Sequence, residues 1–455
     1  MASEPIPAER VRPLNGRRTA GGPFVVYWMQ AAQRAAANHA LEYAARAANE
    51  LGRPLVVLFV LTDAYPEANA RHYAFMLEGL RETREALGRR GIPMIVRRGD
   101  PGREAAAFGR EAAMMVVDDG YVRIERAWRR AAAAALECPL IEVATNVVVP
   151  VGTASPKEEY AAATLRPKIA RLLDRFLTPV RETPLRVRPI EPAGESLDLG
   201  DPAAVLAKLA VDRAVGPSPV LRGGPSEAAR RLRDFVARRQ AAYAVDRNDP
   251  ALDGSSGLSP YLHFGQISPL AVALAVMKGP AYGRAPFLEE LVVRRELSFN
   301  FVRYNPAYDR FDGLPAWSRE TLLERAKDPR PYLYTRAQLE AAATHDPYWN
   351  AAQRELVLTG RMHNYMRMYW GKKVLEWSAS PRAAFRTALA LNNVYALDGR
   401  DPNSFAGVAW VFGKHDRPWA RRPVFGTVRY MNAAGLRRKF DIDAYVRRVE
   451  ALGRG

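Results

Sequence analysis

A chain of 455 residues with one cysteine, Cys138, has no internal disulfide framework and no cysteine-based zinc site. Long apolar runs are missing too. No stretch of 18 apolar residues exists, which excludes a membrane-spanning helix of the usual kind, and the N-terminus lacks the apolar core of a signal peptide. A soluble, cytoplasmic monomer is expected. Acidic residues are outnumbered, 49 against 67 basic ones, which leaves a formal net charge of +18 carried mostly by arginine. That balance suits a polyanionic partner, most often nucleic acid. Abundant Ala, Arg, Gly and Pro also fit a GC-rich coding bias with a solvated arginine surface, so charge by itself supports nucleic acid only weakly.

What is present divides into unlike halves. Residues 1–22, rich in Pro, Arg, Gly and Glu, read as a disordered tail. Five short apolar runs follow, FVVYW (24–28), LVVLFVL (55–61), IPMIVRR (92–98), MMVVD (114–118) and PLIEVA (139–144). Segments of helical period at 31–51, 69–90, 101–112 and 123–136 separate them. Strand alternating with helix implies βαβ units and a five-stranded parallel, Rossmann-like sheet within an α/β domain over 23–177. The first strand is followed by MQAAQRAAANHAL rather than GxGxxG, so the usual dinucleotide grip is lacking. Eight prolines within 178–225 mark a linker wrapped over a surface, with a short helix at 202–212. From 226 to 455 strand signals almost vanish and helical segments fill the chain.

The helical half carries the chemistry. In LDGSSGLSPYLHFGQISP (252–269) small hydroxylated residues and glycines precede a helix. Ser255, Ser256 and Ser259 with nearby N–H groups suit either a phosphate cradle or an ordinary capping loop. In FLEELVVRRELSFNFVRYNP, Glu290 and Arg294 have the i,i+4 spacing of a surface ion pair. Asp398 and Asp401 in LDGRDPN suit a tight turn or, less readily, a metal loop. Four of the eight tryptophans lie between His345 and Trp410. Trp370 and Trp377, seven apart, share a helical face. With Trp349 they read either as core packing or as stepping stones for single electrons.

Read together, these segments resemble the photolyase/cryptochrome family, and most closely class II cyclobutane pyrimidine dimer photolyases. The likeness covers nearly everything after residue 23. It is most specific in YAVDRNDPALDGSSGLSPYLHFGQIS, FLEELVVRRELSFNF, THDPYWNAAQ, GRMHNYMRMYWGKKVLEW, NNVYALDGRDPN and GKHDRPWARRPVFGTVRYM. It implies an N-terminal antenna domain, with a deazaflavin, a folate or nothing bound there, and a helical domain holding FAD.

By this resemblance the FAD is gripped by Ser255, Ser256, Gly257, Leu258 and Ser259, with Tyr243, Arg294 and Asp401 also contributing. Arg367 and Asp398 pair across the isoalloxazine, and Asn392 stands beside flavin N5. Asn393 departs from the Asn-Asp that many relatives carry. Arg247 and Asn248 fill the gap left by a flipped dimer, and Glu290 meets the lesion. Met368 and Trp410 wall its pocket, while Asp416, Trp419 and Arg429 order the DNA-binding surface. The implied partner is duplex DNA with pyrimidine dimers, repaired by an electron from photoexcited reduced FAD; no metal is implied. Trp377, Trp370 and Trp349 would relay electrons for flavin photoreduction, Trp377 innermost and Trp349 outermost. The alternatives are a cryptochrome-type receptor, a (6–4) photolyase and a non-enzymatic basic DNA-binding protein. The chain ends soon after FDIDAYVRRVE, without a signalling tail, and its six histidines show no evident active-site pair, which argues against the first two.

Overall fold

The computed structural model describes residues 6–190 and 195–453. Its α/β half contains one sheet of β1 (Val11–Pro13), β2 (Phe24–Met29), β3 (Leu55–Leu61), β4 (Met94–Arg98), β5 (Ala112–Asp118) and β6 (Leu140–Val143), ordered β1-β6-β5-β2-β3-β4. All neighbours are parallel except β1, which runs antiparallel to β6. The class is the expected one, with six strands instead of five. The extra strand lies in the segment read as a disordered tail. Its residues look polar because it is an edge strand, held by Val11–Val143 pairing and by Arg10, which is buried and donates to Val148 O at 2.6 Å. Residues 1–5 lie outside the described residues.

The apolar runs are continuous because both faces of the sheet are covered. Val25, Tyr27, Val57 and Phe59 enter one core, while Val26, Trp28, Val56 and Leu58 enter the other. Strand order reverses between β2 and β5, where open α/β sheets place their ligand crevice. The loop leaving β2 is pinned there by Asp118, whose carboxylate accepts from the backbone N–H groups of Gln30, Ala31 and Ala32, each at 3.0 Å, and from Tyr27 OH at 2.9 Å. A GxGxxG turn would offer such amides to a pyrophosphate; here an internal carboxylate occupies them.

The linker wraps the α/β half, as Leu197 N on Val96 O and Thr183 N on Glu42 show. Among its described residues before Pro225, helix is confined to Pro202–Ala207. From Pro225 the described chain is helical, with π-helical stretches at Phe235–Arg239 and Glu289–Arg294. The halves interlock through buried polar groups. Arg71 donates to Val357 O and Tyr395 O, and Glu296 accepts from Val148 N and Val149 N. No helix among the described residues is long and apolar enough to cross a membrane.

Candidate cofactor and nucleic-acid sites

The Ser255 loop sits before the short helix Ser259–His263, with Leu258 buried beneath it and Ser259 exposed. Three arginines, two from the continuous helical segment 225–239 and one from the loop at Arg361, converge on the Ser255 loop. Arg361 Nη2 lies 2.7 Å from Ser255 Oγ, and Arg239 Nη1 lies 3.0 Å from Ser255 O. Arg231 Nη1 is the nearest group to where a side chain at Gly257 would start, at 3.4 Å. Gly257 has φ +67, a conformation glycine adopts freely and which keeps this face bare. Asp253 is bound to Arg239 at 2.9 Å and Arg361 at 3.1 Å, while Asp234 also takes Arg239 at 2.6 Å and Glu227 takes Arg231 at 2.8 Å. Bare backbone ringed by guanidinium groups is suited to a pyrophosphate.

Arg367 Nη2 pairs with Asp398 Oδ1 at 3.0 Å, both largely shielded from solvent. Asn392 and Asn393 are buried at the end of the helix Pro381–Tyr395. Asp401 caps the helix Pro402–Val411 and binds His263 Nδ1 at 3.2 Å. Tyr243 is buried against Phe235 and Phe287. Glu290 does not take Arg294 as partner. The π-helical stretch shifts the ladder, so Arg294 reaches Glu289 at 3.0 Å and is half-exposed, while Glu290 pairs with Arg247 at 2.8 Å. Burial opposes the Arg247 charge, but Glu290 and Tyr243 together more than offset it and hold the guanidinium above its usual range. Asn248, beside it, is exposed. The buried arginine of the segment is Arg295, bonded to Asn146 O, rather than Arg294.

The three tryptophans are in contact, in an order different from the expected one. Trp349 and Trp370 are nearly parallel, 6.3 Å between centroids, and Trp349 meets Trp377 edge-on at 5.8 Å. Trp349 is therefore central. Trp370 and Trp377 are two turns apart on the helix Asn364–Trp377, and one residue of the neighbouring helix Pro347–Thr359 fills the gap between them. Trp377 continues toward the surface through Tyr334 at 5.5 Å and His345 at 5.1 Å, on which half-exposed Tyr332 stacks.

Met368, Trp410, Trp419 and Arg429 line one surface groove of about 560 Å³, rimmed by Arg422, Arg438 and Lys439. Asp416 grips Arg429 through both oxygens, at 2.8 and 3.0 Å, and the held guanidinium lies 4.0 Å from the Trp419 ring centroid. Lys372 is fully buried and faces the Trp410 ring at 5.0 Å. Burial brings its ammonium down to about 7.

Comparison with known proteins decides the family. A DNA photolyase family model matches residues 25–186. A deoxyribodipyrimidine photo-lyase of Methanothermobacter thermautotrophicus is 51% identical over 453 residues, spanning 98% of this chain and 99% of its own. The chain belongs to the DNA photolyase family. It is accordingly an enzyme of that family, a DNA-repair lyase. Deoxyribodipyrimidine photo-lyases of Oryza sativa and Potorous tridactylus are 42% and 40% identical, over 97% and 93% of this chain and 90% and 81% of theirs. Among solved structures, a bacterial class III photolyase from Agrobacterium tumefaciens superposes with a TM-score of 0.70 at 20% identity, covering 94% of this chain and 87% of its own. An archaeal photolyase from Sulfolobus tokodaii, solved with two FAD molecules, gives 0.69 at 17% identity, with coverage of 93% and 89%. These two establish the shared fold.

Several residues of this photolyase-family enzyme escaped the sequence reading. Arg231, Arg239 and Arg361 were anonymous among many arginines, although Arg361 sits in the GRMHNYM motif. A second cavity, about 110 Å³, opens at the C-terminal ends of β2 and β3, lined by Gln30, Gln33, Tyr65, Glu125, Trp128 and Arg400, among others. Gln30 Oε1 and Gln33 Oε1 are buried there without a protein partner, and burial raises the Glu125 carboxyl to about 7. No sequence signal marks it, because its walls come from both halves. Among the described residues no cluster of His, Cys, Asp or Glu is arranged to hold a metal ion.

Proposed function

We propose that this enzyme uses light to repair cyclobutane pyrimidine dimers in duplex DNA, as class II photolyases do, acting as a cytoplasmic monomer with FAD in the helical half. The observation that carries this reading is a shared helix. Arg367, paired with Asp398, and Met368, in the wall of the aromatic groove, are adjacent on Asn364–Trp377. One turn of helix thus serves both a flavin site and a lesion pocket.

The residues fit the cofactor. Arg361, Arg239 and the bare Gly257 backbone would hold its pyrophosphate, Arg367 with Asp398 would hold the isoalloxazine edge, and Asn392 would serve N5. Bound there in reduced form, FAD would supply the light-driven one-electron chemistry that splits a dimer without net oxidation or reduction. The chain does the rest. Basic side chains on the groove rim hold DNA phosphates without reading sequence. Met368 and Trp410 enclose the flipped dimer and exclude water. Arg247 leaves Glu290 to fill the opened duplex, which frees that carboxyl for the lesion. Trp377, Trp349 and Trp370, in that order inward, carry electrons from the Tyr332 surface for photoreduction. In the cleft at the ends of β2 and β3, Gln30 and Gln33 oxygens suit the donors of a planar antenna heterocycle, a deazaflavin or a folate.

Light-dependent reversal of a synthetic thymine dimer by chemically reduced protein tests the reading, and no repair under illumination would overturn it. Trp349→Phe, which removes the central indole and keeps most of its volume, is expected to slow flavin photoreduction at least tenfold while chemically reduced enzyme repairs normally. Photoreduction at the wild-type rate by flash spectroscopy would dismiss the tryptophan route.

A further inference from the structure

Asn392 and Asn393 are both buried, and the orientation of Asn393 is fixed twice over. Its Nδ2 lies 2.7 Å from Glu67 Oε2, and a carboxylate only accepts. Its Oδ1 lies 3.0 Å from the Arg400 backbone nitrogen, which only donates. Ser404 Oγ is 2.9 Å from the same Oδ1 and must therefore donate to it. A hydroxyl has a single proton, so toward Asn392 the serine can only accept. Asn392 accordingly presents its Nδ2, 2.5 Å away. Its Oδ1 takes no hydrogen bond from any group among the described residues. The two outer anchors are costly to place. Glu67 and Arg400 are non-glycine residues with φ of 58° and 64°, and the Arg400 side chain is further held by Asn393 O at 2.6 Å.

We propose that Asn393 and Ser404 are positioning residues, through which a carboxylate of the α/β half decides which end of the Asn392 amide faces the flavin ring. The end presented is the carbonyl oxygen. This rests on the placement of Asn392 beside flavin N5 proposed above. A carbonyl oxygen accepts, so it favours N5 carrying its proton, as in reduced flavin. The amide nitrogen in its place would favour the bare N5 of oxidised flavin. The relay therefore raises the flavin midpoint potential and favours the form that repair requires. Asn393, where many relatives carry aspartate by the resemblance above, acts through Ser404 and Asn392 and touches no substrate.

The test is the midpoint potential of FAD in purified holoprotein, measured by spectroelectrochemistry. Asn393→Leu removes the acceptor, turns the Ser404 proton toward Asn392 and reverses that amide. The expected shift is about tenfold toward oxidised flavin at fixed potential, ~30 mV for a two-electron couple. Ser404→Ala should shift it in the same direction by less, and Ser404→Thr, which keeps the hydroxyl, should restore the wild-type value. If Asn393→Leu loses its flavin, the Ala and Thr pair decides. Asn392→Leu checks the underlying placement. Unchanged potential there would show that Asn392 is not beside the flavin, and the relay would fall with it. A shift in Asn392→Leu, with wild-type potentials in Asn393→Leu and Ser404→Ala, would leave the placement standing and overturn the relay. A purely structural role for these residues predicts lower melting temperatures and no change in potential.

Discussion

Each half of the molecule has a turn whose backbone N–H groups precede a helix, and the two are used in opposite ways. After β2, the amides of Gln30, Ala31 and Ala32 all go to Asp118, and buried Arg129 balances that carboxylate at 3.2 Å. In the helical half, the bare loop at Ser255–Gly257 faces Arg231, Arg239 and Arg361. A parallel sheet brings its phosphate-binding geometry with the fold, yet one internal carboxylate closes it. Positive charge gathered on a glycine-bearing loop opens an equivalent site elsewhere. The crevice of the α/β half instead keeps two buried acceptors without a protein partner, Gln30 Oε1 and Gln33 Oε1.

The largest expected effect comes from unbalancing the closed turn. Asp118→Asn leaves buried Arg129 only the more distant carboxylate of Glu142, at 3.8 Å, and gives the three amides a weaker acceptor. It should cost about 4 kcal/mol in urea unfolding, yet under native conditions the flavin should stay bound. Loss of flavin with unchanged stability would erase the distinction between the halves. Next is Arg361→Glu, which reverses a charge on the open loop. Flavin affinity should fall about 100-fold, roughly 3 kcal/mol, with folding stability little altered. Gln33→Leu, made in the other cleft, should leave flavin content at the wild-type level. Flavin absorbance per protein in the purified variants decides both.

The smallest effect probes the junction. Glu296 is buried where the loop after β6 meets the helix Arg295–Tyr304, and burial raises its carboxyl from 4.5 to about 8. A folded value above the unfolded one means that the folded state keeps a proton the unfolded chain has released. This stability is complete below pH 4.5 and is lost as pH rises through about 8. Glu296→Gln retains an acceptor for Val148 and Val149 and removes the titration. The melting temperature of the wild type should therefore fall by roughly 2 °C more than that of the variant over this range. Parallel curves would show that Glu296 is ionised in the fold.

Periodicity made the α/β half legible, because a buried parallel strand must be a short β-branched run between turns. β3, buried at every position, is the plainest case. β1 was missed because an edge strand is held by backbone pairing and by Arg10, and neither leaves an apolar pattern. In the helical half the motif residues were legible as a set, but their contacts were not. Helical spacing ties Glu290 to Arg294, but the π-helical stretch turns Arg294 onto Glu289 and leaves Glu290 to Arg247. Trp349 reads as peripheral in the sequence because distance along the chain says nothing about which ring stands between two others.

The sequence by itself determined the class of each half, the absence of a glycine dinucleotide turn and the motif residues a flavin and DNA would need, since these follow from local pattern and composition. Only the tertiary structure decided who faces whom. It brought Asp118 to the amides of Gln30–Ala32, put three arginines on one loop, set Trp349 between two indoles and linked Glu67 to Asn393. These contacts span tens to hundreds of residues, and hydrogen-bond polarity and ring geometry act through space. No spacing along the chain encodes them.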